Sequence, residues 1–169
     1  MSALSTIWTV GHSSVELDDL FRLLRRHDIE MLVDVRSTPY SRYAPQANRE
    51  VLERACADQG LAYRYRGEHL GGRPADPACR DAKGNPDYEA VRQTPAFSAA
   101  LAALVADAYS NRLCLLCAEE DPARCHRTLL VGKALTRTGH EVLHLRHDGS
   151  VETQAEVERR RTGGQLTPS

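Results

Sequence analysis

Residues Leu113–Cys117 read LCLLC, an apolar run with no polar alternation. Such a run fits a strand covered on both faces, so the chain must supply packing layers on each side of it. The remaining sequence supplies them. Ser5–Val10, Met31–Val35, Leu61–Arg66 and Glu141–Arg146 are further strand-like segments, rich in β-branched, apolar or alternating residues. Between them lie helical patterns. Leu17, Leu20, Phe21 and Leu24 mark one apolar helix face, and Ser13 with Glu16 has capping-box spacing that places the helix start at Ser13. Asn48 is positioned to cap a second helix, carrying Val51, Leu52, Ala55 and Cys56 and ending at Gly60. Thr94-Pro95 opens a third, presenting Phe97, Leu101, Leu104, Val105 and Ala108. Asp121-Pro122 opens a fourth, closing near Gly139. Asp148-Gly149 is a turn, and Val151–Arg161 reads as a helical tail whose Glu156–Arg161 stretch is a solvated face. Gly67–Asp87 has no clear period, and a loop of that length is usually functional or mobile.

The resulting order, β-α-β-α-β-loop-α-β-α-β-α, predicts a doubly wound α/β fold. Its sheet is expected to be mostly parallel and five-stranded, with helices on both faces. The expected boundaries are a single domain over residues 1–161 and a frayed tail over 162–169. A chain of 169 residues can bury roughly 70% of its unfolded surface, so no disulfide or metal staple is needed to fold it.

Composition narrows the function classes. The net charge is −1, which argues against a protein that coats nucleic acid by charge alone. Only Lys83 and Lys133 among the 22 basic residues are lysines, so an anion site here is built from arginine forks. No apolar run approaches the ~18 residues of a membrane span. Five cysteines, an odd number, follow an N-terminal stretch that lacks Lys and Arg through Val10; reduced thiols in a cytoplasmic protein are expected. There is no Gly-x-x-x-x-Gly-Lys and no Gly-x-Gly-x-x-Gly, so neither ATP by that route nor NAD is favoured, and no cofactor is expected.

In an open parallel sheet, ligands bind outside the carboxyl ends of the strands. Four segments bring reactive residues to that edge. After the first strand come Gly11, His12 and Ser13; after the second, Asp34, Arg36 and Arg42; after the third, His69 and Arg73; after the fourth, Cys117, Glu119, Cys125, His126 and Arg127. Asp34 and Arg36 are two apart, hence on one face, and read either as an ion pair or as a base and an anion holder. Ser13 is explained as a helix cap, and the helix start behind it is also a ready anion site. His12 reads equally as an acid–base group and as a satisfied loop histidine. Cys117 and Cys125 read as a nucleophile or redox pair, or as small buried apolar residues. A metal is not expected, because the sequence offers no tight Cys-x-x-Cys pair and no second histidine at ligand spacing.

The motifs VGHS (Val10–Ser13), DVRSTPYS (Asp34–Ser41), GEHLGGRP (Gly67–Pro74) and C-A-E-x-D-P-x-x-C-H-R (Cys117–Arg127) resemble, together and in this order, the family catalogued as domain of unknown function 488. The resemblance spans about Thr9 to Arg146. It implies a Rossmann-like α/β protein with a shared site at the motifs, and it supplies no activity. The residues themselves lead to an expected small-molecule enzyme, acting by hydrolysis or group transfer on a phosphorylated or nucleotide-like anion. Asp34, Cys117 and Glu119 are the catalytic candidates. His12, Ser13, Arg36, Arg42, His69, Arg73, Cys125, His126 and Arg127 are the ligand-binding candidates. Two alternatives stand beside it: a nucleic-acid-associated protein using the arginine cluster, and a thiol redox protein using Cys117 and Cys125.

Overall fold

A computed structural model describes residues 4–163. The six residues beyond Gly163, most of the predicted frayed tail, lie outside the described residues. The chain forms one sheet. Strands β1 (Thr6–Gly11), β2 (Met31–Asp34), β3 (Ala62–Tyr65), β4 (Leu113–Cys117) and β5 (Glu141–Leu145) run parallel, and β6 (Val151–Thr153) is antiparallel to β5. The order across the sheet is β3-β2-β4-β1-β5-β6. The α/β class with a mostly parallel sheet is therefore as expected. The sixth strand is an addition: its three residues were read as the start of the helical tail, which begins at Gln154 instead.

Burial follows the strand period. In β4, Leu113, Leu115 and Cys117 join one core, while Cys114 and Leu116 join the other. The first core lies beneath α4 (Tyr88–Arg92), α5 (Pro95–Ser110) and α6 (Lys133–Arg137), with Phe97, Leu104 and Leu135 buried in it. The second lies beneath α1 (Leu17–Arg26) and α2 (Arg49–Asp58), which bury Leu20, Phe21, Leu24, Leu52 and Cys56. LCLLC is thus covered on both faces. No helix among the described residues is long and apolar enough to cross a membrane.

Caps divide the expectations. Thr94 caps α5 through a bond from the Phe97 amide, with Pro95 in the first turn. Ser13 does not cap α1. It sits at φ 44°, and the helix starts at Leu17 behind Glu16. Asn48 holds the N-cap position of α2, but its side chain accepts from the Ser41 amide in the preceding loop. Gly60 ends α2 at φ 71°. The segment predicted as one helix from Asp121 to Gly139 has three parts: a 3-10 turn at Pro122–Arg124, a π-wound stretch at Arg127–Gly132, and α6. The long loop after β3 is anchored. It holds a helical turn, α3 (Gly67–Leu70), and a 3-10 turn at Pro77–Cys79, and it buries Leu70 and Cys79 in the first core. The last helix is α7 (Gln154–Gly163); Val157 is buried, and Arg160 of the supposedly solvated face pairs with Asp121 and Glu152.

Candidate functional site

Strand order places Cys117 at the centre of the carboxyl edge. β4 lies between β1 and β2: Cys117 pairs with Gly11 on one side, and Leu116 pairs with Asp34 on the other, so the segments carrying His12 and Arg36 leave the sheet beside the end of β4. The strands consecutive in the chain, β1 and β2, are therefore not neighbours in the sheet. The chain then rises around Cys117 to form a cleft of about 370 Å³. Arg36, Arg73, Cys117, Glu119 and His126, all candidates from the sequence, line it. Ser37, Thr38, Tyr40, Gly72, Tyr88, Ala118 and Arg124 complete the wall.

On one side stands a buried chain of hydrogen bonds. Arg36 Nε donates to Asp34 Oδ1 at 2.9 Å and Nη2 donates to Oδ2 at 2.7 Å, a side-on fork. Tyr63 also donates to Oδ2, at 2.5 Å. His12 Nδ1 lies 2.8 Å from the Ser13 carbonyl, which can only accept, so Nε2 of the neutral ring carries the lone pair facing Arg36 Nη1 at 3.2 Å. Burial holds the His12 imidazole below its ordinary value, the Ser13 carbonyl opposes this, and the Arg36 charge reinforces it. Burial alone would lower the Arg36 guanidinium, but the Asp34 carboxylate more than offsets it and raises it. A guanidinium has five N–H donors, and three are engaged here; two on a cleft-lining side chain have no partner among the described residues.

Opposite stands the thiol cluster. Cys117 Sγ lies 3.4 Å from Glu119 Oε2 and 3.4 Å from His126 Nδ1, so one thiol proton has two acceptors. Cys125 Sγ lies 4.0 Å from the same ring nitrogen. His126 Nε2 is 2.8 Å from the Val35 carbonyl, which fixes the neutral tautomer with its Nδ1 lone pair toward both sulfurs. Partial burial pushes the Glu119 carboxyl up, but its own backbone N–H and the thiols of Cys125 and Cys117 outweigh that and hold it below its ordinary value. Burial pushes the Cys125 thiol up.

The loops between these two groups are tied together. Tyr65 donates to the carbonyls of Arg36 and Ser37, the Arg73 amide donates to Ser37 Oγ, and Tyr88 donates to the Gly72 carbonyl. Gly72 lies close against His126: a Cβ there would stand 2.8 Å from the ring. Gly11 allows an even closer approach, of the Glu119 carbonyl to β1.

Several sequence candidates are placed elsewhere. Asp34 is fully buried beneath Arg36, with both carboxylate oxygens engaged, and His12 is buried beside it. Arg127 is fully enclosed beneath the cleft. It donates to Thr9 Oγ1 and to the carbonyls of Glu119 and Glu120, and so shapes the wall from behind. Cys125 is buried behind Cys117. Ser13, Arg42 and His69 are exposed and do not line the cleft; Arg42 lies over Tyr43, and His69 stands near Glu68. The anion site expected at the start of α1 is also displaced, because that helix begins later and carries Asp18 and Asp19 in its first turn. Tyr63 and Tyr65, which sequence reasoning did not mark as site residues, support the site through these bonds. Tyr88 was unmarked in the sequence except for Asp87, which caps the short helix that carries it.

An α/β protein with a cleft at the carboxyl edge of its parallel strands, walled by arginines and floored by a cysteine–histidine cluster, is the class that fold and site define. A protein-family model described as "Domain of unknown function DUF488" matches residues 16–134, and the chain belongs to that family. The VGHS segment precedes the matched region, and the other three motifs lie inside it. No curated protein and no solved structure matches the chain.

Proposed function

We propose that the cleft binds a small phosphorylated or nucleotide-like anion and carries out hydrolysis or group transfer on it. The observation that carries this reading is Arg36, a cleft-lining guanidinium held rigid by Asp34 and His12 and left with two N–H donors. A pre-organised fork of this kind suits phosphate or carboxylate oxygens. Arg73 and Arg124, exposed at the rim, add positive charge, and among the described residues Glu119 is the only acidic one in the lining. A cleft of about 370 Å³ is of small-ligand size. That size and the net charge of −1 favour a small molecule over a nucleic-acid strand.

In this reading Arg36 holds the anionic group and Glu119 moves the proton. The reacting atom sits against the floor formed by Cys117 and His126. The test is a turnover panel of phosphomonoesters and nucleoside monophosphates, with products followed by chromatography. At least one class is expected to turn over, and Glu119→Gln is expected to lose most of that rate while melting like the wild type. No turnover across the panel, with no thermal stabilisation by phosphate, pyrophosphate or nucleoside monophosphates at matched ionic strength, would overturn the reading. A ligand at 100 times its Kd adds about 2.7 kcal/mol of stability, a readily measured effect.

A further inference from the structure

We infer that Cys117, Cys125 and His126 form a binding site for one divalent transition metal, zinc above all, at the floor of the cleft. The ligand atoms of the three residues lie within 4.8 Å of one another. Zinc holds sulfur at about 2.3 Å and imidazole nitrogen at about 2.0–2.1 Å, so an ideal tetrahedron sets sulfur and nitrogen about 3.6 Å apart. The two distances here, 3.4 Å from Cys117 and 4.0 Å from Cys125 to His126 Nδ1, bracket that edge. Spacing along the chain argued against a metal. The fold removes that objection, because the 3-10 turn at Pro122–Arg124 folds the chain back and returns Cys125 and His126 to the end of β4.

The surroundings are those of a ligand set. The Val35 carbonyl takes the Nε2 hydrogen and leaves Nδ1 as the donor atom, the pattern that orients metal-bound histidines. Gly72 packs closely against His126, where a Cβ would stand 2.8 Å from the ring. Two thiolates and an imidazole select zinc over hard cations such as magnesium or calcium. Three protein ligands leave a fourth position, as in hydrolytic zinc centres, and Cys117 and His126 both face the cleft. Glu119 does not join the three, but its Oε2 stands 3.4 Å from Cys117 Sγ, beside that position.

For catalysis the inference rests on the proposed function, and it assigns the reaction class as metal-assisted hydrolysis. A water in the fourth position gives its proton to the Glu119 carboxylate. Its oxygen bonds to the electrophilic atom of the ligand, and the bond to the leaving group breaks with its electron pair. Glu119 then returns the proton to the leaving group. The net change is the addition of one water.

The test uses the full chain, stripped with a chelator under reductant and titrated with zinc and with cobalt. One equivalent of zinc is expected to bind, competing with a chromophoric chelator, and to protect Cys117 and Cys125 from iodoacetamide. Cobalt is expected to give tetrahedral visible bands with thiolate-to-metal charge transfer. His126→Asn and Cys125→Ser are expected to lower the affinity at least tenfold, while Cys56→Ala, in the opposite core, leaves it unchanged. Should Cys125→Ser unfold, the wild-type cobalt spectrum and the alkylation map still decide. Octahedral cobalt bands without charge transfer, or zinc uptake that leaves both thiols reactive, would overturn the site. Metal binding without turnover or anion binding would overturn the proposed function alone. Phosphate binding by a protein that takes no metal would overturn this inference alone.

Discussion

Arg36 cannot be shortened without stranding Asp34, whose carboxylate is fully buried. Removing one partner of a buried ion pair costs about 3–5 kcal/mol. Arg36→Ala is therefore expected to lose that much stability in urea unfolding, and a wild-type midpoint would refute the pairing. Anion binding is better probed through Arg73 and Arg124, which are exposed and leave the core intact. The thiols should also separate. Burial, with the Asp34 charge nearby, pushes the Cys56 thiol up to about 12, whereas Cys117 lines the cleft. In chelator-treated protein, iodoacetamide should label Cys117 well before Cys56, and equal slow labelling of both would contradict the placement of Cys117. The Asp34–Arg36 pair was legible because residues two apart on a strand share a face. The Tyr63 bond to Asp34 and the Arg127 bond to Thr9 were not, since each joins strands or helices far apart in the chain.

At the level of elements, two close approaches hold the site in shape. A Cβ on Gly72 would stand 2.8 Å from the His126 ring, and one on Gly11 would stand 1.6 Å from the Glu119 carbonyl oxygen. The first neighbour is a side chain that can give a little; the second is backbone. Gly72→Ala is thus expected to cost about 1–3 kcal/mol and to displace the imidazole, whereas Gly11→Ala should cost more than Gly72→Ala. Equal thermal midpoints for these variants and the wild type would contradict the packing. The elements themselves were largely legible: apolar runs gave five strands, and Thr94-Pro95 gave the α5 start. Strand order was not, because a run of apolar residues reveals a strand but not its neighbour. The π-wound stretch was not either. Its apolar spacing passes for α-helix, yet it is this segment that sends Arg127 beneath the cleft.

Across the whole molecule, two networks make stability fall in acid. His144 Nδ1 meets Thr9 Oγ1 at 2.6 Å and Nε2 meets Gln154 Oε1 at 2.8 Å, fully buried, and burial pushes the ring down to about 4. Between pH 6.5 and 4 the unfolded chain binds this proton and the folded one does not, so stability present above pH 6.5 is lost as pH falls toward 4. The loss is on the order of 3 kcal/mol, and His144→Gln should flatten it. A second set acts at lower pH. Arg146 holds the Glu120 carboxyl down, and Arg160 does the same for Asp121 and Glu152, tying α7 to the loop beside the cleft. That contribution is present above the ordinary carboxylate range and is lost as these groups protonate. Added salt should weaken it and leave the His144 phase in place. A stability profile flat from pH 7 to pH 4 would contradict the first network.

The central claim is that a small anion binds at the carboxyl edge, between the Arg36 side and the cysteine–histidine floor. Titration of isotope-labelled protein with inorganic phosphate or pyrophosphate, followed by amide resonances, tests it most directly. The account predicts saturable shifts concentrated at Ser37, Thr38, Gly72, Arg73, Ala118 and Glu119, weakened by Arg73→Ala with Arg124→Ala. No saturable shift, or shifts centred on the start of α1 or on Arg42 and His69, would contradict it.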